Sequence, residues 1–118
     1  MTPAITWVEV GTLDDVWEGE MVPVEVEGEQ VLLVHCRGGH VAAYQGICPH
    51  QETPLADGDL DGTVITCSAH LWQFDAVTGA GVNPSDASLY RYEVKVEDEV
   101  IYVGVPEDGG RRYLRFGA

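Results

Sequence analysis

Cys48-Pro49-His50 and Cys67-Ser68-Ala69-His70 each bring one thiol and one imidazole in the same order, with sixteen residues between His50 and Cys67. Thiolate is a soft metal ligand and imidazole a borderline one, and four such groups brought to one point form a metal site. Each of the two segments is mixed, so one Cys and one His have to come from each of two loops. The sequence therefore predicts a fold that holds two loops against one metal centre.

The order of the ligands separates two kinds of metal site. Structural zinc sites usually pair Cys with Cys and His with His at short spacings. In a Rieske [2Fe–2S] centre, by contrast, two Cys bind one iron and two His bind the other. The mixed pattern favours the second kind, and we predict that Cys48, His50, Cys67 and His70 bind a [2Fe–2S] cluster. A structural zinc site is the alternative.

Six stretches distributed over most of the chain carry a family resemblance. They are residues 13–21 (LDDVWEGEM), 44–45 (YQ), 48–52 (CPHQE), 64–67 (VITC), 69–72 (AHLW) and 81–84 (GVNP). With these stretches the chain resembles Rieske-type ferredoxins, and within them the ferredoxin component of toluene 4-monooxygenase-like systems. The C-terminal residues, with Arg111, Arg112 and Arg115, match nothing in that family, so their role stays open.

The resemblance implies a function in electron transfer. Ferredoxins of this kind carry single electrons from an NADH-dependent flavin reductase to a diiron oxygenase hydroxylase, in aromatic hydrocarbon catabolism. The expected protein is therefore an electron carrier and not an enzyme by itself. Two other interpretations remain open from the sequence: the ferredoxin of an aromatic-ring-hydroxylating dioxygenase, and the small subunit of a nitrite-reductase-like enzyme.

Composition narrows the range of partners. The chain has 118 residues, with six basic and twenty acidic ones, and a formal net charge of −14. Three of the basic residues lie in the last eight positions, so residues 1–110 carry −17. Nucleic acid and anionic membranes are poor partners for such a chain, because phosphate contacts need Lys and Arg. No apolar run approaches the length of a transmembrane helix, and the first ten residues do not resemble a secretory signal. We expect a cytoplasmic monomer whose partners present basic faces.

Hydrophobic alternation and frequent turn residues predict an all-β fold. The expected strands are 5–10, 21–26, 30–36, 40–45, 63–67, 72–76, 90–97 and 100–105, and residues 13–18 form either one helical turn or a loop. These strands indicate an antiparallel β-sandwich or small barrel with two cluster-binding loops, which is the Rieske fold that the resemblance implies. The chain is long enough for one domain, residues 1–118, with the cluster-binding part at 45–76 and a basic tail at 109–118.

The remaining candidate residues have ordinary structural interpretations. Cys36 lies in an apolar run and is expected to be a buried, inert thiol. His35 and His40 have no Cys at ligand spacing and are expected to be strand residues. Trp72 lies either in the core or beside the cluster, and Phe74 is expected in the core. Around the two histidine ligands we expect a small apolar edge formed by Pro49, Gln51 and Leu71, joined by Trp72 where it lies beside the cluster, while Glu52, Asp57 and Asp59 form an acidic rim or a solvated face.

Overall fold

The structure is a computed structural model that describes residues 5–36, 38–49, 53–68, 71–83, 85 and 87–106. Within these residues the chain forms ten strands and one short 3-10 helix. The strands are β1 (Ile5–Thr12), β2 (Glu20–Val26), β3 (Glu29–His35), β4 (Val41–Gln45), β5 (Asp59–Asp61), β6 (Val64–Thr66), β7 (Gln73–Asp75), β8 (Gly81–Asn83), β9 (Arg91–Glu97) and β10 (Val100–Pro106), and the 3-10 helix is Leu55–Asp57.

Six of the strands form one antiparallel sheet in the order β1-β10-β9-β4-β3-β2. The two strands at the ends of this order, β1 and β2, also lie close to each other, so the sheet curls into a partial barrel. We call it the large sheet. It confirms the predicted all-β, antiparallel fold.

The other four strands form a second antiparallel sheet in the order β5-β6-β7-β8. In the chain this small sheet is inserted between β4 and β9, and each of its strands has three residues. Short strands and turns alternate here, and Gly62 supplies the left-handed backbone (φ +62°) of the β5–β6 turn. Both cluster-loop cysteines belong to this insertion.

Strand β3 explains how the two sheets share a core. Leu32 and Val34 pack into the cluster of buried residues that also contains Ile65 and Phe74 of the small sheet. Leu33, between them, points the other way, into the interior of the large sheet. Because side chains alternate across a strand, a strand buried on both faces reads as a continuous apolar run. This is why residues 31–34 read VLLV.

Two hairpins of the large sheet turn on residue pairs with positive φ. Glu27 and Gly28 join β2 to β3 with φ +51° and +82°, and Asp98 and Glu99 join β9 to β10 with φ +51° and +68°. Two-residue turns in which both residues have a left-handed backbone conformation match the twist of antiparallel strands. Both turns were predicted from the sequence, although Glu99 is an unfavourable residue for this backbone.

The structure adds three elements that the sequence pattern did not predict: β5, β8 and the 3-10 helix. Each has only three residues, which is too short for a periodic pattern to be recognised. Residues 13–18 form turns, so the loop interpretation is confirmed over the helical one. No helix in the described part of the chain is long and apolar enough to span a membrane.

Candidate metal centre

The first loop begins directly after β4 and carries Cys48. The Cys48 N–H donates to the carbonyl of Thr53 (2.9 Å), which closes a loop of six residues. Below this hydrogen bond, Ile47 and Pro54 form an isolated antiparallel bridge, and the Leu55 N–H donates to the Gly46 carbonyl (2.8 Å). The first loop is therefore the tip of a short hairpin, with Cys48 at its first position.

The second loop has the same construction. The Cys67 N–H donates to the carbonyl of Trp72 (2.7 Å), again across six residues. The base of this loop is the pair Thr66–Gln73, in the ladder between β6 and β7. Each predicted ligand pair thus begins at the first residue of a hairpin tip closed by a backbone hydrogen bond. Loops held at the tips of two hairpins can keep their ligands at a fixed separation, as a shared metal centre requires.

Gly58 explains how the two hairpins can lie side by side. A Cβ atom at this position would collide with the carbonyl oxygen of Thr66 and lie 3.3 Å from the Cα of Cys67. The backbone of Gly58 is extended, with φ −89°, so the requirement is for space and not for a left-handed conformation. The return of the first loop therefore packs directly against the backbone of the second.

The two cysteine side chains are fully buried and belong to the same core cluster. Cys48 and Cys67 are each 0% exposed and pack in the cluster that contains Leu55 and Phe74. Thiols delivered by two neighbouring hairpin tips into a water-poor core match the Cys-ligated side of a [2Fe–2S] centre, for which thiolate is the preferred ligand. The donors that the structure describes therefore fit the cluster.

His50 and His70, the other two predicted ligands, lie outside the described residues. The same is true of Gln51, Glu52 and Ala69. Among the residues that are described, no group of three or more His, Cys, Asp or Glu side chains could hold a metal ion. Cys48 and Cys67 thus lie in one buried cluster, and the assignment of all four residues as cluster ligands stays a prediction.

Gln45 stabilises the first loop through hydrogen bonds. In the sequence it stood out only as one of the residues that carry the family resemblance. Its side chain donates to the carbonyl of Ile47 (2.8 Å) and accepts from the N–H of Tyr90 (2.8 Å). The backbone N–H of Gln45 donates to the Tyr90 carbonyl (2.9 Å). A buried amide (1% exposed) that bridges two chain segments costs little, because its polar atoms are satisfied. The sequence signal that could have indicated this role is a Gln at the end of an apolar strand.

The surface beside the loops agrees only in part with the apolar edge expected from the sequence. Leu71 is 67% exposed and takes a left-handed backbone (φ +57°), which is strained for a residue with a branched side chain. Trp72 is partly buried and packs against the core cluster, and Phe74 is in that core as predicted. Pro49 is buried, so its placement at the exposed edge was wrong. The reason is that it follows Cys48 directly into the core. Asp57 and Asp59 are exposed.

Cys36 is a buried thiol outside both loops, as predicted. Burial and the nearby Asp75 carboxylate raise the pKa of Cys36, which lowers the reactive thiolate fraction. Its sulfur lies 3.9 Å from the Ala76 carbonyl, which also accepts a hydrogen bond from Tyr44 (2.8 Å). Cys36 and Tyr44 therefore attach the large sheet to the turn after β7 and play a structural part.

Comparison with known proteins places this geometry in a family. The chain matches the family described as the Rieske [2Fe-2S] domain over residues 6–96. It is 42% identical over 110 residues to the ferredoxin component of the alkene monooxygenase system of Xanthobacter autotrophicus, and the match covers 89% of this chain and 88% of that protein.

Two solved structures share the fold. The ferredoxin of carbazole 1,9a-dioxygenase from Nocardioides aromaticivorans matches with a TM-score of 0.76 at 32% identity, over 91% of this chain and 100% of that one. A Mycobacterium tuberculosis protein solved as an NADH-dependent nitrite reductase small subunit matches with a TM-score of 0.78, over 86% of this chain and 96% of that one. Its identity is only 20%, so this second likeness concerns the fold alone.

The family match and the buried cysteine pair agree on the cofactor. It is a Rieske-type [2Fe–2S] cluster, and the zinc alternative is excluded by the family. The predicted resemblance to Rieske-type ferredoxins is confirmed by a relative that serves a monooxygenase system. The chain belongs to the Rieske [2Fe-2S] domain family.

Proposed function

We propose that this protein is the ferredoxin component of an oxygenase system and carries single electrons to the oxygenase. The observation that carries the proposal is the pair of six-residue hairpin tips, each placing a buried cysteine at its first position, in a chain whose relatives are ferredoxin components. A bound cluster supplies one-electron chemistry, and the protein supplies ligation, insulation and a docking surface.

We propose that Cys48 and Cys67 hold one iron and that His50 and His70 hold the other. The cysteines begin their loops inside the core. Each histidine follows its cysteine by two or three residues in the sequence. A ligating imidazole keeps one ring nitrogen for a hydrogen bond or a partner, so this arrangement directs the exposed edge of the site toward the acceptor.

The partners that we propose are an NADH-dependent flavin reductase upstream and a diiron hydroxylase downstream. The 42% identity to an alkene monooxygenase ferredoxin supports the monooxygenase choice over a dioxygenase. The nitrite-reductase interpretation has support from the fold only. We further propose a monomeric cytoplasmic protein with one domain over residues 1–118, which has no catalytic activity of its own. The three cysteines, two of them proposed ligands, leave no pair for a structural disulfide.

Leu71 is the proposed apolar contact of the docking surface. It is exposed near the end of the second loop, and Asp57, Asp59 and Asp61 are exposed on the return of the first loop and on β5. Transient electron-transfer contacts are small, with an apolar centre and a polar rim. We propose that a basic face of the oxygenase covers Leu71 while its cations meet the carboxylates.

Cluster ligation is tested with cysteine variants and a matched control. Cys48→Ser and Cys67→Ser should lose the cluster, whereas Cys36→Ala, which removes the third buried thiol, should keep about two irons and two sulfides per chain. Iron and sulfide analysis together with electron paramagnetic resonance of the reduced protein gives the result. A full cluster in either loop-cysteine variant contradicts the ligand assignment.

Docking is tested at Leu71 with a substitution that suits its backbone. Asn tolerates the left-handed conformation, so Leu71→Asn should not lower the melting temperature, but it should slow electron transfer to the co-encoded hydroxylase by about tenfold. Val96→Asn, at an exposed valine of β9 far along the chain from both loops, is the control. Equal transfer rates for the two variants would show that Leu71 does not contact the oxygenase.

A further inference from the structure

A cleft opens in the middle of the large sheet, between β4 and β9. The two strands pair only at Ala43–Tyr92 and Tyr44–Arg91. Before Ala43 on β4 and after Tyr92 on β9 the ladder stops, and a cavity of about 390 Å³ lies there. A volume of this size is in the range of small-molecule sites. None of the described residues of the two cluster loops lines the cleft.

Backbone groups line the cleft in a way that follows from the register. The hydrogen bond from the Gln45 N–H to the Tyr90 carbonyl fixes which residues of β4 face β9. Since these groups alternate along an antiparallel ladder, Val41 and Val94 are the next residues whose N–H and C=O groups point across the gap. Both residues line the cavity, and the ladder does not extend to them.

The side chains of His40 and Arg91 line the same cleft. The Nε2 atom of His40 is buried and has no hydrogen-bond partner among the described residues. A buried polar atom without a partner costs free energy unless a ligand or water satisfies it. Arg91 also lines the cleft, and its guanidinium forms no ion pair within the described part of the chain, whereas Lys95 is paired with Glu97.

Glu93 determines which anion fits. It is exposed and lines the same cleft, so its carboxylate disfavours a dianion such as hydrogen phosphate more than a singly charged ligand. Arg91 offers a planar fork of donors that matches a carboxylate. We propose that the cleft between β4 and β9 binds a small organic monocarboxylate, held by the Arg91 guanidinium and the His40 Nε2.

The ring of His40 reports binding directly, and His35 is its internal control. His35 is buried in β3, its Nδ1 is hydrogen-bonded to the Val16 carbonyl (2.8 Å), and it is not among the residues that line the cleft. Oxidised holoprotein with ¹³C-labelled histidine is titrated by NMR with acetate, inorganic phosphate and chloride at constant ionic strength. Acetate should shift the His40 signals saturably in a roughly millimolar range, without a matching change at His35.

Variants complete the test. Arg91→Gln, at an exposed position, should weaken acetate binding at least about tenfold, with an unchanged melting temperature and unchanged cluster spectrum. Glu93→Gln should admit phosphate more strongly than the native protein does. A His40 shift that is linear in acetate, equal in chloride, or unaffected by Arg91→Gln overturns the proposed site. Phosphate binding as tight as acetate binding in the native protein overturns the monocarboxylate assignment.

Discussion

The two sheets of this protein differ in how far their own strands and core contacts stabilise them. Strands of the large sheet have five to eight residues and bury side chains in two core clusters. Strands of the small sheet have three residues each, and the β6–β7 hairpin carries the Cys67 loop, while the Cys48 loop follows β4 on a hairpin with a single isolated bridge. Short hairpins are marginal on their own, so the small sheet depends on packing against β3 and β4 and on the metal centre.

Both cysteine loops therefore lie in the part of the molecule that has the shorter strands. Metal ligation contributes folding free energy to such a region, because the ligands are brought together only in the folded state. The large sheet does not depend on metal ligation for its stability. The following predictions separate the two regions, from the largest expected effect to the smallest.

Gly58→Ala should be the most damaging change, and it should act on the small sheet. The new methyl group meets the Thr66 carbonyl, which is backbone and cannot rotate away. Overpacking of this kind costs about 3 kcal/mol, and the hairpins should separate enough that little iron is bound. Iron content and urea unfolding measure the effect.

Gly62→Ala is the matched control for Gly58→Ala. Gly62 is in the same sheet, has open space around it and has φ +62°. Its substitution should cost about 1 kcal/mol through backbone strain and leave the iron content near that of the native protein. If both alanine variants lose the same amount of iron, space at Gly58 is not what holds the loops together.

Removal of the cluster should affect the two sheets unequally. After reduction and chelation of iron, amide hydrogens of β6 and β7 should exchange at least about tenfold faster, which corresponds to roughly 1.4 kcal/mol. Amides of β3 and β10, with their longer ladders, should keep their protection. Hydrogen exchange followed by NMR measures both sheets in one sample. A uniform loss across both sheets would mean that the protein unfolds as one unit without its cluster.

Tyr44→Phe should weaken the attachment between the sheets. It removes the hydrogen bond from the Tyr44 hydroxyl to the Ala76 carbonyl (2.8 Å), and the buried carbonyl is left without this donor, at a cost of about 1–2 kcal/mol. Tyr102→Phe, on β10, is the control. Unfolding midpoints in urea at neutral pH give the comparison, and equal midpoints would show that the hydrogen bond does not stabilise the contact.

Tyr44 also predicts an alkaline limit to stability. Burial raises the pKa of Tyr44 from 10.0 to about 12, so the folded state favours the neutral phenol. This contribution is complete below pH 10 and is lost as the pH rises through about 12, by on the order of 2 kcal/mol. Stability measured against pH should fall in that window in the native protein. The fall should be smaller in Tyr44→Phe.

Glu99→Gly should have the smallest effect, and it should stabilise the large sheet. Glu99 has φ +68° in the β9–β10 turn, where glycine is preferred. Relief of the backbone strain raises the free energy of unfolding, and the entropy cost of glycine lowers it. The net gain is about 0.5 kcal/mol. Glu99→Ala removes the same carboxylate without relieving the backbone and should show no gain. Thermal melts of the holoproteins distinguish the two variants.

Residue type and spacing determined the fold class, the cofactor and most of the long strands from the sequence alone. A short apolar run such as 31–34, bounded by turn residues, indicates a strand, and two mixed Cys and His segments suit few metal centres. These are local properties, because alternation and ligand chemistry are carried by neighbouring residues. The proposed ligands His50 and His70 also come from spacing alone.

Tertiary structure decided what depends on contacts between distant segments. The requirement for Gly58 arises only because Thr66 comes to lie against it, and the burial of Pro49 arises because the first loop enters the core. The role of Gln45 depends on Tyr90, which is 45 residues away. The cleft beside Arg91 exists because β4 and β9 stop pairing after two residue pairs. Such features have no signature in a single stretch of sequence, since each depends on the packing of two segments that the chain brings together only on folding.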